Sequence, residues 1–269
     1  MKETEVFEAT MMRVEHKYPM TRKQYETFLE KAGKHLLPDF YPEYDLHNIY
    51  YDTEDSAMIV HCLKDPHYKE KLRLRTYGEP NAHTPCYLEI KRKCGPTGVK
   101  RRISLSENDA RECVEHGAVI REDSQIAREI SYLISRNRLK EKLFIAYHRV
   151  AFSGKEEKDL RITFDTDIRF RLDDLSLHET GGETYITEKD DVLMEIKVSG
   201  RYPLWLTEIL SEMKLYRRSF SKYGVIYTAL TKQAMDHERT TDAAAVHQPI
   251  VNTGKGNRLC SHQYSLLHS

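Results

Sequence analysis

No apolar run in this sequence approaches the ~18 residues that a membrane-spanning helix needs, and the N-terminal MKETEVFEAT has no apolar signal-peptide core. The expectation is a cytoplasmic protein without an integral membrane segment, attached to a membrane only where a membrane-protein partner tethers it. Net charge is also missing: 42 Lys and Arg balance 42 Asp and Glu. A chain without a net field does not coat nucleic acid through overall charge. No specific nucleic-acid partner is therefore expected, and any basic function needs a local concentration of cations. The five cysteines are odd in number and contain no CxxC pair, which reads as reduced thiols. Despite 13 histidines there is no HExxH or HxxxH spacing, so solvated side chains explain them better than a zinc site. Neither GxxxxGK[ST] nor GxGxxG occurs; a nucleotide would have to be held through its triphosphate.

What the sequence has in abundance is period-2 alternation. Residues 11–18, 47–52, 69–77, 86–93, 99–105, 143–152, 160–170 and 191–198 read as strands. Helical stripes lie between them. Tyr25, Phe28, Leu29, Ala32 and Leu36 follow a Thr21 cap; Ser106 and Asp109 form a capping-box pair. Ile126, Ile130, Leu133 and Ile134 follow Asp123. Pro203 suits the first turn of a helix carrying Trp205, Ile209, Leu210 and Met213, and a last helix follows Ser221. Strands outnumber helices without alternating regularly with them, which predicts an α+β fold with a mainly antiparallel sheet. Residues 1–235 read as one domain and 236–269 as a flexible polar tail.

The strand faces are unusual. In KEKLRLRTY, Lys69, Lys71, Arg73, Arg75 and Tyr77 share one face and Leu72 and Leu74 the other. Glu89, Lys91 and Lys93 oppose Leu88 and Ile90; Lys100, Arg102 and Ser104 oppose Val99, Ile103 and Leu105, with Arg101 breaking the pattern. Arg13, Glu15 and Lys17 align, as do Tyr147 and Arg149, then Arg161, Thr163 and Asp165, and finally Glu195 and Lys197. Residues 69–102 hold ten Lys/Arg and three Glu, a balance of +7. A solvated polar face is the plain explanation, but such faces usually mix signs and use Ser, Thr and Gln. The alternative is a sheet closed into a tunnel-like barrel with a basic interior, flanked by several helices. Unpaired buried cations are costly, so that interior demands a polyanion or bound metal.

The ordered set RVEHKY, KLRLRTYG, YLEIKRK, KRR, YHRVAF, LRITFD, MEIK and SFSKYG resembles the catalytic domain of the vacuolar transporter chaperone family, of the triphosphate tunnel metalloenzyme superfamily, over roughly residues 11–232. The resemblance implies an antiparallel tunnel and a polyphosphate polymerase using ATP, inorganic polyphosphate and Mn²⁺ or Mg²⁺. By motif position it implies that Arg73, Arg75, Lys91, Arg149 and Arg161 act on the phosphates. Lys17, Lys93, Lys100, Arg102, Tyr147, Lys197 and Lys222 would bind substrate; Glu195, assisted by Glu15 or Glu89, would hold the metal. The superfamily's first strand usually reads Glu-x-Glu-x-Lys. Here Arg13 replaces the first glutamate, which weighs against the triphosphatase and cyclase branches. Two alternatives stay open: an inorganic or nucleoside triphosphatase, and a non-catalytic polyanion-binding module. Tyr50 and Tyr51 are candidates to stack a nucleobase, though strand core is the commoner role of such residues.

Overall fold

The computed structural model describes residues 13–79, 81, 84–95, 97–120, 123–178, 181–186 and 190–245. In chain order these form β1 (Arg13–Thr21), α1 (Arg22–Ala32), a 3₁₀ turn (Gly33–His35), β2 (Leu36–Asp52), α2 (Ala57–Lys64), β3 (Tyr68–Tyr77), β4 (Cys86–Cys94) and β5 (Thr97–Leu105). There follow α3 (Glu107–Glu115), α4 (Gln125–Asn137), β6 (Lys140–Gly154), β7 (Arg161–Arg171), β8 (Thr184–Tyr185), β9 (Asp191–Ser199), α5 (Leu204–Glu212) and α6 (Lys222–Ala245). The chain divides into two units, Met1–Thr228 and Ala229–Ser269. The sheet belongs to the first. Of the second, the described part is the remainder of α6, which runs on to Ala245; the expected tail from residue 236 therefore begins inside a helix, and 246–269 lie outside the described residues.

Local signals account for most element ends. Thr21 and Gln24 make a reciprocal capping box at α1 (3.2 and 2.9 Å). Ser106 accepts from the Asp109 amide at 3.0 Å. The cap of α4 is Ser124, the residue after Asp123; its hydroxyl accepts from the Ala127 amide at 3.1 Å. Pro203 sits just before α5 in extended conformation instead of inside its first turn. The short α2 was not foreseen. Its AMIVHCLK sequence has no full helical stripe, and its capping group lies on the preceding strand: Asp52 accepts from the Met58 and Ile59 amides at 2.9 and 3.0 Å.

Every strand pairing is antiparallel, in the order β1-β9-β7-β6-β2-β3-β4-β5, with β8 added to β7. The expected backbone closure into a barrel is not made: among the described residues β1 and β5 remain sheet edges. Side chains meet across that seam instead, where Lys91 Nζ on β4 lies 3.4 Å from Glu15 Oε2 on β1. The sheet thus curls until β1 comes within ion-pair reach of β4, the last strand but one.

The apolar face of this curl points outward and is covered by helices. Leu72, Leu74, Leu88, Ile90 and Ile103 pack with Ala110 and Cys113 of α3 and Ile130 and Leu133 of α4. Ile162, Phe164, Met194 and Ile196 pack with Phe28 of α1 and Leu206 of α5. Two cores outside the sheet leave its other face free to be charged. Arg101 breaks the alternation because it faces outward, where Glu129 of α4 accepts from it at 2.5 Å and also holds Arg92 at 3.1 Å.

Candidate active site

The inner face carries the cations, and four carboxylates organise them. Glu89 on β4 is almost fully buried and accepts from Arg73 at 2.7 and 3.0 Å and from Lys100 at 3.0 Å, with Arg75 at 4.0 Å. Burial pushes its carboxyl up, but Arg73, Arg75 and Lys100 outweigh that and hold it at about 2. Asp165 on β7, wholly buried, takes Arg149 on both oxygens (2.6 and 2.8 Å) and Lys222 at 2.5 Å. It too is held at about 2: against the cost of burial stand the Arg149 and Lys222 charges. Glu195 lies 2.5 Å from Lys197 and 3.6 Å from Lys17, and Glu15 lies 3.6 Å from Lys17. Burial opposes ionisation of Glu195, yet Lys197, Lys17 and Arg149 hold its carboxyl well below the usual range.

Polar side chains fix the arginines further. Arg75 donates to Asn48 at 2.7 Å and to the Tyr147 hydroxyl at 2.9 Å. Arg73 donates to the Tyr50 hydroxyl at 3.1 Å. Burial alone would raise the Tyr50 phenol, but Arg73, Arg75 and Lys71 lower it to about 7. Lys222 Nζ also sits 4.1 Å above the Tyr147 ring.

The SKYG segment brings α6 to this wall, one residue at a time. Ser221 accepts from the Gly224 amide at 3.1 Å and from Lys71 at 2.8 Å. Lys222 reaches Asp165, and Tyr223 donates to Asp52 at 3.0 Å. At Gly224 an added Cβ would come within 3.1 Å of the Leu63 side chain, so glycine lets α6 lie close against α2. Lys17 completes the anchor by donating to the Phe220 carbonyl at 3.0 Å.

A family model for the VTC domain matches residues 12–231. The chain belongs to the VTC-domain family. Among curated proteins none matches. The VTC chain is similar in fold to a candidate adenylate cyclase from Bacillus halodurans (14% identity, TM-score 0.48, covering 78% of this chain and 96% of that one). It is likewise similar to a candidate adenylyl cyclase from Hippeastrum described as having a dominant triphosphatase activity (15%, 0.48, 81% and 96%), and to the PH1819 protein of Pyrococcus horikoshii OT3 (18%, 0.43, 81% and 99%).

In this VTC domain the expected site residues fall in three places. Lys17, Arg73, Arg75, Tyr147, Arg149, Glu89, Glu195, Lys197 and Lys222 line the inner wall. Lys91 and Glu15 form the seam, and the exposed Lys93 and Lys100 flank it on β4 and β5. Arg161 and Arg102 stand apart from both groups, Arg161 opposite Lys197 at the start of β7 and Arg102 opposite Glu89 on the edge strand β5. Arg161, 43% exposed, is bound to Asp39 at 2.7 Å, and the Arg102 guanidinium stacks 4.4 Å from the centre of the Tyr87 ring. Sequence reasoning put Lys71 and Asp165 on the charged faces and Ser221 before the last helix without giving any of them a site role, and it did not reach Asn48. Asp165 and Lys71 had a usable signal, since they alternate in phase with Arg161 and with Arg73; Asn48 and Ser221 had none, because their partners come from distant strands. Tyr51 is core, and Tyr50 is a buried partner of Arg73, so neither offers a face to a base.

The donor set suits a hard cation in one way only. Among the described residues no three His, Cys, Asp or Glu cluster as a metal site. Both Glu89 oxygens are already bound to Arg73 and Lys100. Glu195, held ionised by Lys197, Lys17 and Arg149, lies beside Glu15, whose carboxyl Lys91, Lys197 and Lys17 hold below the usual range against burial and the Glu195 charge; it can supply a carboxylate oxygen, with the remaining ligands coming from phosphate and water.

Proposed function

We propose that this VTC domain is a polyphosphate polymerase: it transfers the γ-phosphoryl group of ATP to the end of an inorganic polyphosphate chain. The observation that carries the reading is the run of fixed cations along one passage. It takes in Lys91 at the seam with Glu15, then Lys17, Arg73, Arg75 and Arg149, and Arg161, which the register sets opposite Lys197. A hydrolase needs to grip one triphosphate, whereas this row offers contacts to a longer chain.

The chemistry asks little covalent help. A terminal phosphate oxygen of the polymer is already anionic, so it attacks the γ-phosphorus without a general base. The bond from that phosphorus to the β–γ bridging oxygen breaks, and ADP leaves with the electron pair. Catalysis then consists of alignment and of charge placed where negative charge concentrates. Arg73, Arg75 and Arg149 are suited to this because their guanidinium groups are fixed in direction by Glu89, Asn48, Tyr147 and Asp165. A phosphate chain would compete with those carboxylates for the same donors, so the carboxylates keep the arginines oriented and charged before substrate arrives. Mn²⁺ or Mg²⁺ held by Glu195 with phosphate oxygens would neutralise charge on the phosphates.

The test is to incubate the pure chain with ATP and Mn²⁺ or Mg²⁺ and to measure polymer, ADP and free phosphate together. Polymer formed with matching ADP supports the polymerase. Free phosphate alone would make it a triphosphatase; retained polyphosphate without ATP consumption would make it a binding module.

A further inference from the structure

The two ends of the inner face differ in chemistry. Along β3 the inward positions are Lys69, Lys71, Arg73, Arg75 and Tyr77, and on β4 they are Tyr87, Glu89, Lys91 and Lys93. Antiparallel register sets Lys69 opposite Lys93, Lys71 opposite Lys91, and Arg75 opposite Tyr87. One end therefore collects lysines and the other collects tyrosines. At the tyrosine end Tyr77 lies edge-on to Tyr87, ring centres 5.9 Å apart, and Tyr44 of β2 is 5.9 Å from Tyr77. Arginines cover the same cluster. Arg102 stacks over Tyr87, the Arg75 guanidinium is 5.7 Å from the centre of Tyr77, and Arg161 points at the Tyr44 hydroxyl at 3.5 Å. All three rings are partly exposed.

We propose that the end formed by Tyr44, Tyr77, Tyr87 and Arg102 is a nucleobase-stacking site, and that it gives the passage a direction: the nucleotide enters at the tyrosine end, and the growing phosphate chain leaves past Lys71, Lys91 and Lys93. This rests on the reading of the inner wall as a triphosphate site. The geometry joins the two. Tyr77 lies four residues along the strand from Arg73, about 13 Å at ~3.3 Å per residue, so a base held at the rim places its triphosphate among Arg75 and Arg73. Aromatic rings and arginine planes both stack bases, and they do so with little preference among them because every base has a π-face. The lysine end has the complementary character: compact ammonium point charges that meet phosphate oxygens without the planar two-pronged geometry of arginine.

Titration calorimetry on the full chain with Mg²⁺, using ATP and inorganic tripolyphosphate as separate probes, tests the assignment. Loss of a base–aromatic stack should weaken ATP binding by between about fivefold and a hundredfold in Tyr87→Ala and Tyr77→Ala. Tripolyphosphate affinity should not change in either, which also shows that the variants fold. Tyr87→Phe and Tyr77→Phe keep the rings and should bind ATP as the wild type does. If the alanine variants lose ATP and tripolyphosphate equally, or lose neither, the base site is wrong while the triphosphate site stands. If the wild-type chain binds neither probe, both readings fall.

Discussion

Lys222, the first residue of α6, donates to Asp165 in the middle of β7 at 2.5 Å. The same carboxylate holds Arg149 through both oxygens, one of them shared with Lys222. One buried acid thus ties a helix start and two strands into a single charge network, and the cations it holds are two of those assigned to phosphate.

Asp165→Asn should destabilise the protein strongly. It leaves Arg149 and Lys222 buried without their counter-charge, and breaking such a pair costs about 3–5 kcal/mol. Urea unfolding of the wild type and variant would show it. A change confined to the small range of a surface ion pair would mean that the network is solvated.

Arg73→Ala should lower polymer synthesis by about 10²–10³, the cost of removing one fixed donor from a dry site. Arg161→Ala should cost less, because that side chain is 43% exposed and its charge is screened. Initial rates of ADP release under saturating ATP separate the two; equal losses would place Arg161 at the transferring group.

Glu195→Gln should raise the Mn²⁺ concentration needed for half-maximal rate by about tenfold or more, ~1.4 kcal/mol of metal affinity. A rate titrated against metal at fixed ATP provides the measurement. An unchanged metal curve would make Glu195 simply the counter-ion of Lys197 and Lys17.

Tyr50 should ionise near neutral pH. Its phenol is held at about 7 against an ordinary ~10, so the phenolate absorption should grow through neutrality in the wild type and not in Tyr50→Phe. The folded value is the depressed one. The stability it adds is therefore absent below about pH 7, rises from there, and is complete above the unfolded value of ~10. Bound tripolyphosphate compensates Arg73 and Arg75, so it should push this titration upward; a downward shift or none would separate Tyr50 from the phosphate site.

Much of the site was legible in the sequence because alternation in a strand is a local rule. KLRLRTY fixes Arg73 and Arg75 on one side and Leu72 and Leu74 on the other, whatever the strand pairs with. LRITFD and MEIK obey the same rule, and the caps Thr21 and Ser106 needed only their own next turn. Where a signal depended on something distant, it was not legible. The cap of α2 is on β2, and the reason for Arg101 facing outward is Glu129 on α4.

The sequence by itself determined which residues share a face, since a 2-residue period needs no partner. Tertiary structure alone decided which face turns inward, because two covering layers of helices bury the apolar face and leave the cations enclosed. It also decided how those cations are neutralised. Glu89, Asp165 and Glu195 lie in strands of mixed residues, and the register between strands sets Glu89 beside Arg73, Asp165 beside Arg149 and Glu195 beside Lys17. The seam follows the same logic: β1 and β4 are far apart in sheet order, and it is the curl of the sheet, a property of twisted strands taken together, that sets Glu15 against Lys91.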